Sequence, residues 1–160
     1  MDLYNKNWTS GSHKQFKFKE IVELITKYSS RNNTIFVGSD SFASKHKICF
    51  VTAVCLVEKS RPARYFFYKE FIPLKKYSTL ATRITEEARR SIEVAEHFTE
   101  RCNIAPQDIE LHLDVSPFGT NNGTSRFSEM LKGYVQGYGF ECRLKPNAWA
   151  SQSVADRHSK

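Results

Sequence analysis

Apolar residues recur along this chain with two different periods, and the switches between them divide it into elements. Over residues 16–28, Phe18, Ile21, Val22, Leu24 and Ile25 follow helical spacing, which predicts an amphipathic helix. Residues 29–33 are polar and break it. Residues 34–39 are mostly β-branched and aromatic and predict a buried strand that ends at Asp40. The run 47–57 is apolar at both alternating sets of positions, as an interior strand is. Only a few residues separate these strands, so they read as a hairpin. Ser60, Arg61 and Pro62 make the next turn. A third strand over 63–72 ends at Pro73, and its mixed polarity predicts a sheet edge.

The second half alternates. Residues 78–101 form a long helix whose buried stripe is Leu80, Ile84, Ala88, Ile92 and Ala95. A fourth strand covers 109–115 and closes on Ser116 and Pro117. A loop over 118–123 comes next, and Thr124 or Ser125 caps a helix reaching about Tyr138, where Gly139 stops it. Residues 140–144 are a fifth strand, Lys145-Pro146-Asn147 a turn, and 148–160 a last short helix. Residues 1–15 are polar and read as a loose N-terminal arm. The order after the first helix is β-β-β-α-β-α-β-α. Three strands pair antiparallel, and the last two are reached through crossover helices, which requires parallel pairing. The expectation is one α/β domain over 1–160, with a five-stranded mixed sheet flanked by helices.

At 160 residues, 40% of them hydrophobic, the chain can bury a full core in one domain. No apolar run reaches the length of a membrane helix, and Met1-Asp2-Leu3-Tyr4 lacks the charged start and apolar middle of a signal peptide. A soluble, cytoplasmic protein is expected. Cys49, Cys55, Cys102 and Cys142 are widely spaced without a Cys-x-x-Cys pair, which argues against a zinc site or a disulfide framework.

The net charge of +7 favours a polyanionic partner. Six basic residues and one acid lie between Lys59 and Lys76, interleaved with Tyr65, Phe66, Phe67 and Tyr68. Aromatics beside cations suit single-stranded nucleic acid, and they suit an ordinary strand equally well.

Three aspartates change the picture. Asp40 ends the first strand, Asp114 sits near the end of the fourth, and Asp156 lies in the last helix. If the first and fourth strands are parallel neighbours, Asp40 and Asp114 finish side by side. Carboxylates that close repel, and a divalent cation resolves the conflict. Oxygen-only ligands select Mg²⁺ or Mn²⁺.

The strand order, the placement of the acids and three segments carry a resemblance. Gly38-Ser39-Asp40-Ser41, His112-Leu113-Asp114-Val115 and the stretch from Lys145 through Asp156 to Lys160 are similar to the ribonuclease H-like superfamily, and nearest to its small bacterial YkuK-type branch. The similarity runs from about Phe16 onward. Ser39 and Phe42 depart from the Thr and Gln that members tend to carry around the first aspartate. The resemblance implies a ribonuclease H-like fold and two metal ions held by three or four carboxylates. It also implies hydrolysis of phosphodiester bonds in RNA, an RNA–DNA hybrid or structured DNA. Asp40 would bridge both ions, Asp114 would hold one, and Asp156 would complete the other.

The fourth acid must come from the long helix. Glu87 lies with Ile84 and Ser91 on the inward side, while Glu86 aligns with Arg90 and Glu93 on the side expected to be wet, which favours Glu87. His112 shares a strand face with Asp114, and His158 lies two residues past Asp156. Either could move a proton or touch phosphate, against the plainer reading as packed residues. Lys145, Arg157 and the helix start at Ser125 are candidate phosphate contacts. The final helix is too short to be stable alone, and a metal shared through Asp156 is expected to order it. The alternative from another class is a non-catalytic nucleic-acid- or protein-binding module on the same fold.

Overall fold

In the computed structural model, residues 2–29, 33–58, 61–116 and 125–159 are described. The elements are β1 (Trp8–Ser10), β2 (Gln15–Phe16), α1 (Phe18–Ser29), β3 (Ile35–Ala43), β4 (Lys47–Glu58), β5 (Arg61–Pro73), α2 (Leu80–Cys102), β6 (Ile109–His112), α3 (Ser128–Gly137), β7 (Glu141–Arg143) and α4 (Asp156–Ser159). The expected loop 118–123, Thr124 and the turn at Ser60 lie outside the described residues.

One mixed sheet runs in the order β2-β1-β5-β4-β3-β6-β7. β3, β4 and β5 form the antiparallel meander, and β6 and β7 join it in parallel, as the crossover helices require. The sheet has seven strands where five were expected, because the N-terminal segment is not a loose arm. β1 and β2 form a small hairpin, and β1 pairs with β5 through Thr9↔Phe67 and Ser10↔Phe66. β5 therefore is not an edge along its whole length. β1 covers it at Phe66 and Phe67, whereas Lys69 to Pro73 pair with β4 alone among the described residues.

Trp8 holds this hairpin down. Its ring is fully buried, stacks on Phe18 at 5.2 Å and meets Tyr68 edge-on at 4.8 Å, while its Nε1–H donates to the Leu3 carbonyl. Strands of three and two residues are too short to show a period, so one buried aromatic does what pattern would otherwise announce.

The sheet separates two apolar layers. α1, α2 and α3 cover one face with Ile21, Ile25, Ile84, Ile92, Phe98 and Leu131. α2 starts on a reciprocal cap between Thr79 and Thr82 and ends on Asn103 in the left-handed conformation. The opposite face takes the segment 149–159, whose Ala150, Ala155, Trp149 and Val154 lie on Ala53, Cys55 and Phe67. This segment is not a plain helix. Residues Ala150–Ala155 form a wide turn in which the Asp156 N–H reaches back to the Ser151 carbonyl, and α4 continues from it. Such a widened turn rotates the later residues about the helix axis.

Gly38 lets this segment approach. A Cβ there would stand 2.5 Å from the Ser151 nitrogen and 2.7 Å from the Ala150 carbonyl carbon, so the strand and the segment meet backbone to backbone.

Trp8→Ala is expected to lower unfolding free energy by about 3–5 kcal/mol, the scale for emptying a buried aromatic site. Urea denaturation monitored by circular dichroism measures it. A change within about 0.5 kcal/mol, as for a surface position, would return residues 1–15 to the status of an arm.

Candidate functional site

The parallel register of β3 and β6 pairs Ile35 with Ile109 and Gly38 with His112. Continued for two residues, it sets Asp40 beside Asp114. β6 itself ends two residues earlier, at His112, while β3 runs on to Ala43 against β4. Asp114 is steadied by its neighbours, because the Leu113 N–H donates to the Arg143 carbonyl and the Lys145 N–H to the Val115 carbonyl, both at 2.9 Å.

Alternation along β3 sends Asp40 to the face of the C-terminal segment. Its carboxyl is 6% exposed, accepts a hydrogen bond from the Ser159 hydroxyl at 3.2 Å, and shares hydrogen bonding with the carboxyls of Asp156 and Asp114. Burial is the largest cause that pushes Asp40 up to about 9, and the charges of Glu87 and Asp114 add to it.

Glu87 reaches the same place from the other face. Ser39 bonds Ser91 at 2.9 Å, which fixes α2 on β3, and Glu87 lies one turn earlier on that side. The Ser41 hydroxyl donates to Glu87 Oε1 at 2.6 Å. Burial pushes Glu87 up to about 8 and the Asp114 charge adds to it, although the Ser41 bond and Arg83 oppose. The structure thus gathers all four acids named from the sequence.

Glu86 is not on a wet side. It is as buried as Glu87, and its carboxylate takes Arg89 at 2.5 and 2.8 Å and Arg90 at 2.9 Å. Arg90 continues to Glu70 at 2.7 Å. Burial alone would raise Glu86, but the two arginines outweigh it and hold the carboxyl below its usual range. A charged residue can be buried when it is paired, and helical spacing alone does not reveal the partner.

The remaining candidates separate. Lys145 stands 3.1 Å from Asp114 Oδ1 and so balances an acid of the cluster. Arg157 is exposed. His158 is packed, with its ring stacked on Phe67 at 3.8 Å and its Nε2 2.9 Å from the Tyr65 hydroxyl. Together with Ser159 it anchors the chain after Asp156, a role the sequence left to a metal. His112 is fully buried. Its Nδ1 accepts the Ala150 N–H at 3.0 Å and its Nε2 lies 2.8 Å from Glu110, so it holds the C-terminal segment on the sheet. Ser125 does not cap α3. It opens a short 3₁₀ turn at Ser125–Phe127, and Phe127 occupies the cap position without a side-chain bond.

Sequence reasoning missed Ser41, Ser159 and the part played by Gly38. A glycine inside a strand pattern is itself a sign of close backbone approach, so Gly38 was legible. Nothing in the pattern marks the two serines.

A family model described as Ribonuclease H-like matches residues 17–160. The chain belongs to the ribonuclease H-like family. No curated protein and no solved structure matches it. Family membership carries a nucleic-acid-related function for this ribonuclease H-like chain and agrees with the mixed sheet and its flanking helices. No helix among the described residues is long and apolar enough to cross a membrane.

The donor set of this ribonuclease H-like site fits a hard divalent cation. All four groups are carboxyls, two are held protonated by burial and mutual repulsion, and buried Asp114 Oδ1 has an ion pair without hydrogen-bond geometry. A void of about 10 Å³ between Ser39, Glu87, His112 and Asp114 has room for about one water-sized occupant. Among the described residues, no three His, Cys, Asp or Glu side chains already stand at coordination geometry. A larger cavity of about 800 Å³, walled by Tyr4, Glu96, Arg101 and Tyr138, lies apart from the acids.

The raised carboxyls set a pH dependence. In metal-free protein the folded state holds a proton on Asp40 that the unfolded chain has lost between about pH 4 and about 9. This contribution is fully present below about pH 4 and is lost as pH rises through about 9. Thermal melts in EDTA from pH 5 to 9 are expected to fall more steeply for the natural protein than for Asp40→Asn. Parallel curves would show that Asp40 is not protonated in the fold.

Proposed function

We propose that this protein is a divalent-metal-dependent nuclease that hydrolyses phosphodiester bonds in RNA, an RNA–DNA hybrid or structured DNA. The observation that supports the reading is the gathering of Asp114, Asp156 and Glu87 around Asp40, from the sheet and from a helical segment on each of its faces. A polyanion-binding module with a net charge of +7 gains nothing from buried acids facing its ligand.

Asp40, Asp114, Asp156 and Glu87 would hold Mg²⁺ or Mn²⁺. Bound, such ions supply an activated water and stabilise charge on the attacking and leaving oxygens. The chain's own residues do the rest. Asp40 and Glu87 would hold such a cation as carboxylates, so the protons that burial favours on them would have to leave for it to be held. Ser41 keeps one oxygen of Glu87 turned to β3, and Ser159 restrains one oxygen of Asp40. Lys145, beside Asp114, and exposed Arg157 would offer contacts to a substrate phosphate.

Calorimetry with Mn²⁺ and a cleavage assay on labelled RNA, hybrid and branched DNA test the reading together. Asp40→Asn and Asp114→Asn are each expected to lower Mn²⁺ affinity by more than about 100-fold, beyond the 10–100-fold typical of groups that only support a ligand. Both should reduce cleavage to background. Undiminished Mn²⁺ binding in Asp40→Asn would dismiss the proposed site. Metal binding without cleavage of any substrate would favour the binding-module alternative.

A further inference from the structure

The sheet face that carries Asp40 is only partly covered. Segment 149–159 lies over Gly38, Ala53 and Phe67, and its last described contact with β3 is the bond from Ser159 to Asp40. One row further, the register aligns Phe42 with Cys49 and Cys49 with Phe71. Directly paired residues point to one face, so Phe42 and Phe71 flank Cys49 on the Asp40 side. Segment 149–159 is not packed on either ring. Phe42 is 46% exposed and Phe71 57% exposed, while Cys49 between them is buried.

Two lysines frame these rings. Lys69 shares a row with Asp40 through Asp40↔Val51↔Lys69. Lys47 places its Nζ 4.6 Å from the centre of the Phe71 ring. Both are exposed, and neither has an ion-pair partner among the described residues. By contrast, the aromatics that the sequence set beside cations, Phe66, Phe67 and Tyr68, are buried in the sheet. The strand reading holds for them, and the exposed rings lie elsewhere.

We infer that Phe42, Phe71, Lys47 and Lys69 form a platform for single-stranded nucleic acid, with unpaired bases stacked on the two rings and phosphates held by the two lysines. The inference rests on the proposed nuclease reading for the role of the neighbouring acids. Phe42 lies two residues from Asp40, roughly 7 Å along the strand. Phe42 and Phe71 are two strands apart, roughly 10 Å. A base on Phe42 therefore brings an adjacent phosphodiester to the carboxylates. Flat rings between unpaired cations match a strand with free bases, whereas a duplex hides its base faces. A second copy of this chain docked by two-fold symmetry would bring uncompensated lysines against lysines, which disfavours that occupant.

The test is fluorescence anisotropy in EDTA, so that binding is read without cleavage. The probes are labelled 12-nucleotide oligo-dT and oligo-U and a blunt duplex of the same length. Phe42→Ala and Phe71→Ala should each weaken single-strand binding by about tenfold or more, the scale of one lost base stack. Phe71→Trp should retain it. Lys47→Gln with Lys69→Gln should lower the slope of log affinity against log salt by about 1.4, for two phosphate contacts. Duplex binding should be weaker and insensitive to the phenylalanines. Circular dichroism checks that these exposed positions leave the fold intact.

Natural affinity in the Phe42→Ala/Phe71→Ala double variant would overturn the platform. So would absent oligonucleotide binding, a preference for the duplex, or a concentration-dependent dimer that the double variant abolishes while oligonucleotide binding persists. Oligonucleotide binding without cleavage in Mn²⁺ would leave the platform standing and remove the nuclease reading. Cleavage by a double variant with unaltered binding would do the reverse.

Discussion

Carboxyl groups repel when they share a water-poor space, and this chain gathers four in one place. The cost is visible in Asp40 and Glu87, both pushed far above their ordinary range by burial and by each other's neighbourhood. The surroundings offset it only in part, through Ser41, Ser159 and the Lys145 ammonium. Next to Glu87 in the chain, Glu86 is buried to a similar degree, and Arg89 and Arg90 hold its carboxyl below the usual range. The contrast is local: the fold provides full counter-charge for the acid of the structural network and withholds it from the acids of the cluster. Protons are the default compensation at the cluster, and a cation is the natural replacement.

The architecture that produces this crowding is simple. Parallel pairing of β3 with β6 aligns two strand ends, and the early end of β6 leaves Asp114 beside Asp40. α2 delivers Glu87 from one face, fixed by the bond from Ser39 to Ser91. The wide turn at Ala150–Ala155 delivers Asp156 from the other, seated on Gly38 and tied to His112. The sheet thus supplies two of the acids and the layer on each of its faces supplies one, and an apolar cluster lies on each side.

Much of this was legible in the sequence because strong periodicity and local chemistry agree. The meander and the long helix come from apolar spacing, the inward placement of Glu87 from helical spacing, and the parallel pairing from the crossover connections. The missing parts share a physical cause, which is dependence on contacts remote in sequence. β1 and β2 are too short to show a period and exist because Trp8 finds Phe18 and Tyr68. Glu86 and Arg90 look like solvent-facing residues until Glu70 is brought to them by β5. Arg157 and His158 are adjacent in sequence, yet one is exposed and the other is stacked on Phe67. Periodicity reports which face of an element is apolar; it does not report what will come to cover that face.

Gly38 has a consequence for the order of events in synthesis. The backbone seat it provides is present once β3 has paired with β4, long before residues 149–159 have been made. During vectorial synthesis the sheet can therefore form with only Asp40 and Glu87 in place, and β6 adds the third acid. Asp156 closes the set when the last segment docks. The fourth carboxyl is thus added in the same event that lays the second apolar layer on the sheet.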